Sequence, residues 1–146
     1  MTDQAGVTLS HFGICVSDPE RSKRFYADAL GFELSHELHF AEPFDILTEL
    51  PGLKGHAAFY QKGPVTIELL WNDEPETVGP ASRRPMNQLG LTHIAFVVEN
   101  LEATAERIED CGGQPLRQTL VSSPVGDMMF ATDPDGTRLE LWEKKV

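Results

Sequence analysis

The chain has 146 residues, enough for one domain with a real core, and 40% of them are hydrophobic. Its net charge of −11, from 12 basic and 23 acidic side chains, disfavours nucleic acid and anionic membranes as partners. The two cysteines, Cys15 and Cys111, both fall in segments expected to be buried, so no disulfide framework is implied and a reducing compartment fits.

The opening Met1-Thr-Asp-Gln-Ala-Gly6 has neither a basic region nor an apolar core, so no secretory signal is expected there. No apolar run approaches the roughly 20 residues of a membrane span. These features predict a soluble cytoplasmic protein.

Residues 8–16 read as a strand, with Phe12, Ile14 and Val16 on one face and His11, Gly13 and Cys15 on the other. Asp18 caps a helix whose first position is Pro19, where a missing N–H costs nothing. Ser22, Phe25, Tyr26 and Ala29 form its buried stripe, and Gly31 stops it. Phe32–Leu38 is a second strand. Residues 39–54 hold two prolines and no clean period, and read as a loop. Gly55–Gln61 and Val65–Trp71 are the third and fourth strands, joined by a turn at Lys62-Gly63-Pro64. In the fourth, Glu68 shares a face with Thr66 and Leu70, opposite Val65, Ile67 and Leu69.

Residues 72–89 are rich in Pro, Asn, Glu and Arg and lack periodicity, which marks a linker. Beyond it the order repeats. Leu91–Val98 is a strand. Asn100 caps a helix with Leu101, Thr104, Ala105, Ile108 and Cys111 inward, stopped by Gly112-Gly113. Pro115–Val121 is a strand suited to a sheet edge, and Gly126–Thr132 is the next. Asp133-Pro-Asp-Gly136 is a turn, and Thr137–Glu143 a last strand with Arg138, Glu140 and Trp142 on one face.

His11 and His93 are 82 positions apart; so are Asp18 and Asn100, and Gly31 and Gly113. One offset through strand, cap and stop indicates an internal duplication. The predicted architecture is a single α+β domain, 1–146, of two β-α-β-β-β modules. Module one covers about 7–72, the linker 73–89, and module two about 90–144.

Four ionisable residues recur at matched places: His11 and His93 early in the first strand of each half, Glu68 and Glu140 in the last. A glutamate within Val-Thr-Ile-Glu-Leu-Leu-Trp is costly to bury unless something compensates its charge. A divalent cation would do so. Two imidazoles and two carboxylates suit zinc, cobalt, nickel, manganese or iron and leave positions open for substrate. Singly, each residue reads as a surface or satisfied polar group; the duplication is what favours the metal. His36, His39 and His56 have no repeat partner and read as loop or surface residues. Arg83-Arg84 reads as a solvated pair, with a clamp for an anionic substrate as the functional alternative. Met128-Met129-Phe130 reads as core or pocket wall.

These stretches resemble the vicinal oxygen chelate superfamily, which holds glyoxalase I, methylmalonyl-CoA epimerase, extradiol dioxygenases and antibiotic-resistance proteins. The matching segments are His-Phe-Gly-Ile-Cys-Val-Ser-Asp-Pro-Glu at 11–20, Phe-Tyr to Leu-Gly at 25–31, and Ile-Glu-Leu-Leu at 67–70. Thr-His-Ile-Ala-Phe-Val-Val at 92–98 and Asp-Pro-Asp-Gly-Thr-Arg-Leu-Glu-Leu-Trp at 133–142 complete the set.

The resemblance implies paired βαβββ modules in a curved, incomplete barrel around a metal, a homodimer, and His11, Glu68, His93 and Glu140 as ligands. It also implies a small-molecule substrate offering a carbonyl or vicinal oxygens to the cation. Many glyoxalase I members carry a glutathione-holding arginine four residues after the first histidine. That place is Cys15 here, while Asn72 matches a glutathione-contacting asparagine.

The expected activity is that of an isomerase, epimerase or lyase. The cation polarises a carbonyl, and Glu140 or Glu68 removes the α-proton and returns it at the same or a neighbouring carbon. The alternatives are an Fe(II) extradiol-type dioxygenase and a non-catalytic binding or resistance protein.

Overall fold

The computed structural model describes residues 6–145; the expectation about residues 1–5 lies outside them. Two four-stranded mixed sheets carry the chain, one per half. The first half contains β1 (Phe12–Cys15), α1 (Pro19–Arg24) continued by a π-turn (Phe25–Ala29), β2 (Glu33–Phe40), α2 (Phe44–Thr48), β3 (Lys54–Lys62) and β4 (Val65–Glu74). The second contains β5 (Ile94–Val98), α3 (Leu101–Asp110), β6 (Gln114–Ser123), β7 (Gly126–Thr132) and β8 (Arg138–Lys144). Strand order is β1-β4-β3-β2 in one sheet and β5-β8-β7-β6 in the other. The β-α-β-β-β order is thus observed in both halves, with the short helix α2 added between β2 and β3 of the first, and β6 is an edge strand, as Pro115 suggested.

Both helices begin at the expected caps. Asp18 accepts a hydrogen bond from the Arg21 N–H at 3.0 Å, and Asn100 accepts one from the Ala103 N–H at 2.8 Å. The stripes are buried as predicted: Ser22, Phe25, Tyr26 and Ala29 in the first half, Leu101, Thr104, Ala105 and Ile108 in the second.

The helix stop in the second half needs correction. The left-handed residues are Gly31 and Gly112, with φ of 73° and 88°, and not Gly113. Cap to stop therefore takes one residue more in the first helix. The π-turn at Phe25–Ala29 absorbs it, because i→i+5 bonding fits an extra residue into a turn. Gly113 serves another purpose. A Cβ there would lie 2.6 Å from the Phe25 ring and 2.5 Å from the Thr132 carbonyl, so the bare backbone lets the halves touch.

Three other expectations change. The stretch 39–54 is not all loop: β2 runs to Phe40, α2 occupies Phe44–Thr48, and β3 starts at Lys54. A five-residue helix is too short to leave a periodic signal. His39 accordingly sits on β2 and His56 on β3. The cysteines are not buried either, since Cys15 is exposed and Cys111 is half-buried. Cys15 shares the face of His11, away from the helices.

The core draws on both halves. Phe25, Tyr26 and Phe32 pack with Ile67 and Leu69 from the first sheet, with Ile108 from α3, and with Met129, Leu139 and Leu141 from the second sheet. Phe32 meets Phe96 edge-on at 6.2 Å across the join. The Asp133-Pro-Asp-Gly136 turn fastens the halves. Asp133, 2% exposed, accepts a 2.8 Å hydrogen bond from the Tyr26 hydroxyl and others from the N–H groups of Asp135 and Thr137. Asp135 accepts from the Ser17 N–H and hydroxyl and from Arg21. Among the described residues no helix is long and apolar enough to cross a membrane.

Burial, then the neighbouring Asp133 charge, pushes the Tyr26 hydroxyl well above the usual phenol range. Its folded pKa exceeds its unfolded one. The stability it contributes is therefore complete below pH about 10 and declines as pH rises past that value. Tyr26→Phe should destabilise the protein by about 1–3 kcal/mol at neutral pH, by leaving a buried carboxylate short of a donor. It should also flatten the loss of stability above pH about 10 relative to the parent. Urea titrations at pH 7 and above pH 10 check both.

Candidate metal centre

Both halves build the same small structure. The first strand of each lies parallel to the last, with Gly13 opposite Glu68 and Ala95 opposite Glu140. A histidine directly precedes each first strand, and this register sets it beside the glutamate. His11 Nε2 lies 3.1 Å from Glu68 Oε2, and His93 Nε2 lies 2.9 Å from Glu140 Oε2. The alternate residues Ile67, Leu69, Leu139 and Leu141 turn into the core, which leaves each glutamate on the opposite face.

Three further features repeat. The Ser10 hydroxyl lies 2.8 Å from His11 Nδ1, and the Thr92 hydroxyl 2.9 Å from His93 Nδ1. Each anchor fixes the ring with Nε2 toward the carboxylate. Phe59 stands opposite Glu68 in the ladder and Phe130 opposite Glu140. Each meets its histidine edge-on, with ring centroids 5.4 Å apart. The 82-residue offset relates Ser10 to Thr92, so sequence comparison of the halves could have found these anchors. The phenylalanines could have been found only with the strand register known.

The donor chemistry fits a divalent cation. Two ligands on neighbouring positions of a cation, each bonded at about 2.1 Å, lie about 3 Å apart, close to both observed separations. Glu68 is only 16% exposed, and its one ion-pair partner among the described residues is His11. Within one chain the four residues form two pairs and not a single cluster. Among the described residues no three His, Cys, Asp or Glu side chains come together in a way that could hold a metal. Both histidines immediately precede edge strands, so each pair lies at an open side of its sheet.

Beyond the pairs the halves diverge. A bulge between Leu34 and His36 in β2 shifts the register so that His36 pairs with Phe59. Its ring stacks on Phe59 at 4.4 Å and 6°, on the side that carries His11 and Glu68. The other two histidines belong to a separate cluster. His39 Nδ1 and His56 Nδ1 are 2.6 Å apart, and His56 Nε2 is 2.6 Å from Asp73. His56 pairs with Trp71, on the opposite face from Glu68, and stacks on it.

In the second half Arg138 lies over the Phe130 ring at 4.9 Å. The Arg84 guanidinium donates to the carbonyls of Leu89 and Leu91, so Arg84 braces the linker, whereas Arg83 is exposed. Met129 is core and Phe130 site wall. The edge strands β1 and β5 border a cavity of about 940 Å³, which His93, Arg83 and Arg138 also line.

Residues 8–141 match the sequence family described as the glyoxalase/bleomycin resistance protein/dioxygenase superfamily. A lactoylglutathione lyase of Salmonella typhimurium is 34% identical over 145 residues, covering 94% of this chain and 93% of that protein. A lactoylglutathione lyase of Schizosaccharomyces pombe is 29% identical over 147 residues, covering 96% of this chain. The chain spans about half of that yeast protein, 48% of its length. Among solved structures, a glyoxalase family protein from Bacillus cereus superposes with a TM-score of 0.85 at 18% identity, covering 100% of this chain and 99% of the other.

Proposed function

The chain belongs to the glyoxalase/bleomycin resistance protein/dioxygenase superfamily, and on that premise we propose a divalent-metal-dependent isomerase, epimerase or lyase acting on a small carbonyl metabolite. The reading rests on one observation: two His–Glu pairs of near-equal spacing, each anchored by a hydroxyl and walled by a phenylalanine, at matched places in the two halves. One such pair is an ordinary surface ion pair. Two alike on open sheet edges are half of a four-ligand set each.

The complete set forms between two chains. His11 and Glu68 of one protomer meet His93 and Glu140 of a second, and the two-fold axis of a homodimer makes two equal sites. Those four residues would hold a divalent cation, which would supply Lewis-acid polarisation of a substrate carbonyl; zinc, cobalt, nickel, manganese and iron all suit this donor set. The protein's own groups do the rest. Ser10 and Thr92 keep each Nε2 aimed at the site. Phe59 and Phe130 exclude water from one side of the imidazoles. Glu140, or its counterpart Glu68, takes the proton next to the carbonyl and returns it to the same or the adjacent carbon. Four ligand-type residues, two per half, favour proton transfer over the three-ligand iron chemistry of ring cleavage. The two free thiols support a reducing, cytoplasmic setting.

A shared site makes a demand that a site within one chain does not. Chains carrying His11→Ala and chains carrying His93→Ala should each lose metal and activity. Mixed and reassociated, they should regain one intact site per heterodimer. Metal analysis and proton exchange on the mixture decide, and no recovery would refute the sharing. Glu140→Gln should retain metal yet slow the entry of solvent deuterium into substrate by about 10²-fold or more. Hemithioacetals, α-hydroxyketones and acyl thioesters, followed by NMR, form the substrate panel. Exchange at the parent rate would remove Glu140 as the base. Ser10→Ala and Thr92→Val should each weaken metal binding about 10- to 100-fold in chelator competition, with the circular dichroism spectrum unchanged.

A further inference from the structure

We propose that Arg138 and Arg83 form an anion-binding subsite beside the His93–Glu140 pair, and that the substrate carries a carboxylate or phosphate roughly 7 Å from the oxygens it offers the metal. That the anion belongs to the substrate rests on the metal-centre reading; the subsite itself does not.

Arg138 stands two residues before Glu140 on β8 and so on the same face, two strand steps away. Phe130, under its guanidinium, is the ring that meets His93 edge-on. A guanidinium has five N–H donors. One of those on Arg138 is used, Nη2 donating to the Arg84 carbonyl at 2.9 Å. Its Nε is buried with no acceptor, a costly arrangement unless a further group completes it. Arg83 lies beside it: both residues line one cavity, and the Arg83 backbone packs on Gly136, two residues before Arg138.

Nothing acidic among the described residues pairs with either cation, although the chain holds 23 carboxylates against 12 basic groups. Two neighbouring cations left unpaired in so acidic a chain repel one another, and an incoming anion removes that penalty. The arrangement is also built. Gly136, with φ of 91°, lets the Ser82–Arg83 backbone lie against the turn that opens β8, where a Cβ would come within 2.7 Å of the Arg83 backbone nitrogen. The fold alone does not require it, because the position in β4 that matches Arg138 is Thr66. Both arginines line the cavity that reaches His93, which gives an anion a way in.

The competing role is mechanical: Arg138 ties down the linker through the Arg84 carbonyl and Arg83 does nothing. Titration of the metal-free full chain with inorganic phosphate, and separately with succinate, distinguishes the two. The ¹⁵N-labelled side-chain Nε–H of Arg138 is the reporter in the parent, and calorimetry is used for the variants. The parent should show saturable binding. Arg138→Gln and Arg83→Gln should each weaken it about tenfold, the loss expected when one charge-assisted hydrogen bond goes. The better of the two ligands then identifies the anion as phosphate or carboxylate.

If Arg138→Gln does not fold, Arg83→Gln on the exposed linker still decides. No saturable response in the parent, or equal affinity in the parent and Arg83→Gln, overturns the proposal. Divalent metal uptake is measured on the same samples. Anion binding without metal uptake would keep the subsite and sink the metal centre; metal uptake without anion binding would do the reverse.

Discussion

The parallel pairing of the first strand with the last in each half is the constraint on which the site depends. It sets Gly13 beside Glu68 and Ala95 beside Glu140, and a histidine just before each first strand then reaches its glutamate without any long-range adjustment. A slip of one residue would turn the glutamate into the core and a leucine toward the imidazole. The buried neighbours Ile67, Leu69, Leu139 and Leu141 prevent that slip. Apolar burial thus holds the ionisable pairs in register.

The two halves are fastened by polar contacts that do no chemistry. Tyr26 from the first helix reaches Asp133 in the turn of the second half, while Ser17 and Arg21 reach Asp135. The turn therefore does three things. It connects β7 to β8, locks the halves together, and through Gly136 seats the linker with Arg83 close to Arg138. It reads in sequence as a simple reversal of direction, and it becomes a junction only because helix and linker converge on it.

Symmetry and its breaking carry different information. The His–Glu pairs, the hydroxyl anchors and the phenylalanine walls are alike in both halves. His36 on one side and Arg138 on the other have no counterparts in the opposite half. The offset between halves also changes along the chain, from 82 at the histidines to 72 at the glutamates. The longer β2–β3 connection, which holds α2, accounts for most of that change.

The amino-acid order alone determined the duplication, the caps at Asp18 and Asn100, the buried stripes of both helices, the strands that carry Glu68 and Glu140, and the strands that open just after His11 and His93, although both histidines were expected inside those strands. Those features rest on local chemistry and on alternation within one element, which a linear pattern records. It also placed Arg138 on the face of Glu140, without a reason to single it out. The tertiary structure decided what depends on residues distant in the chain: the histidine beside its glutamate, the bulge that turns His36 toward Phe59, the exposure of Cys15, and the division of the four ionisable residues into two pairs within a chain. Periodicity states which side of a strand a residue faces. What stands opposite it is decided by strand order, register and the packing of one half on the other.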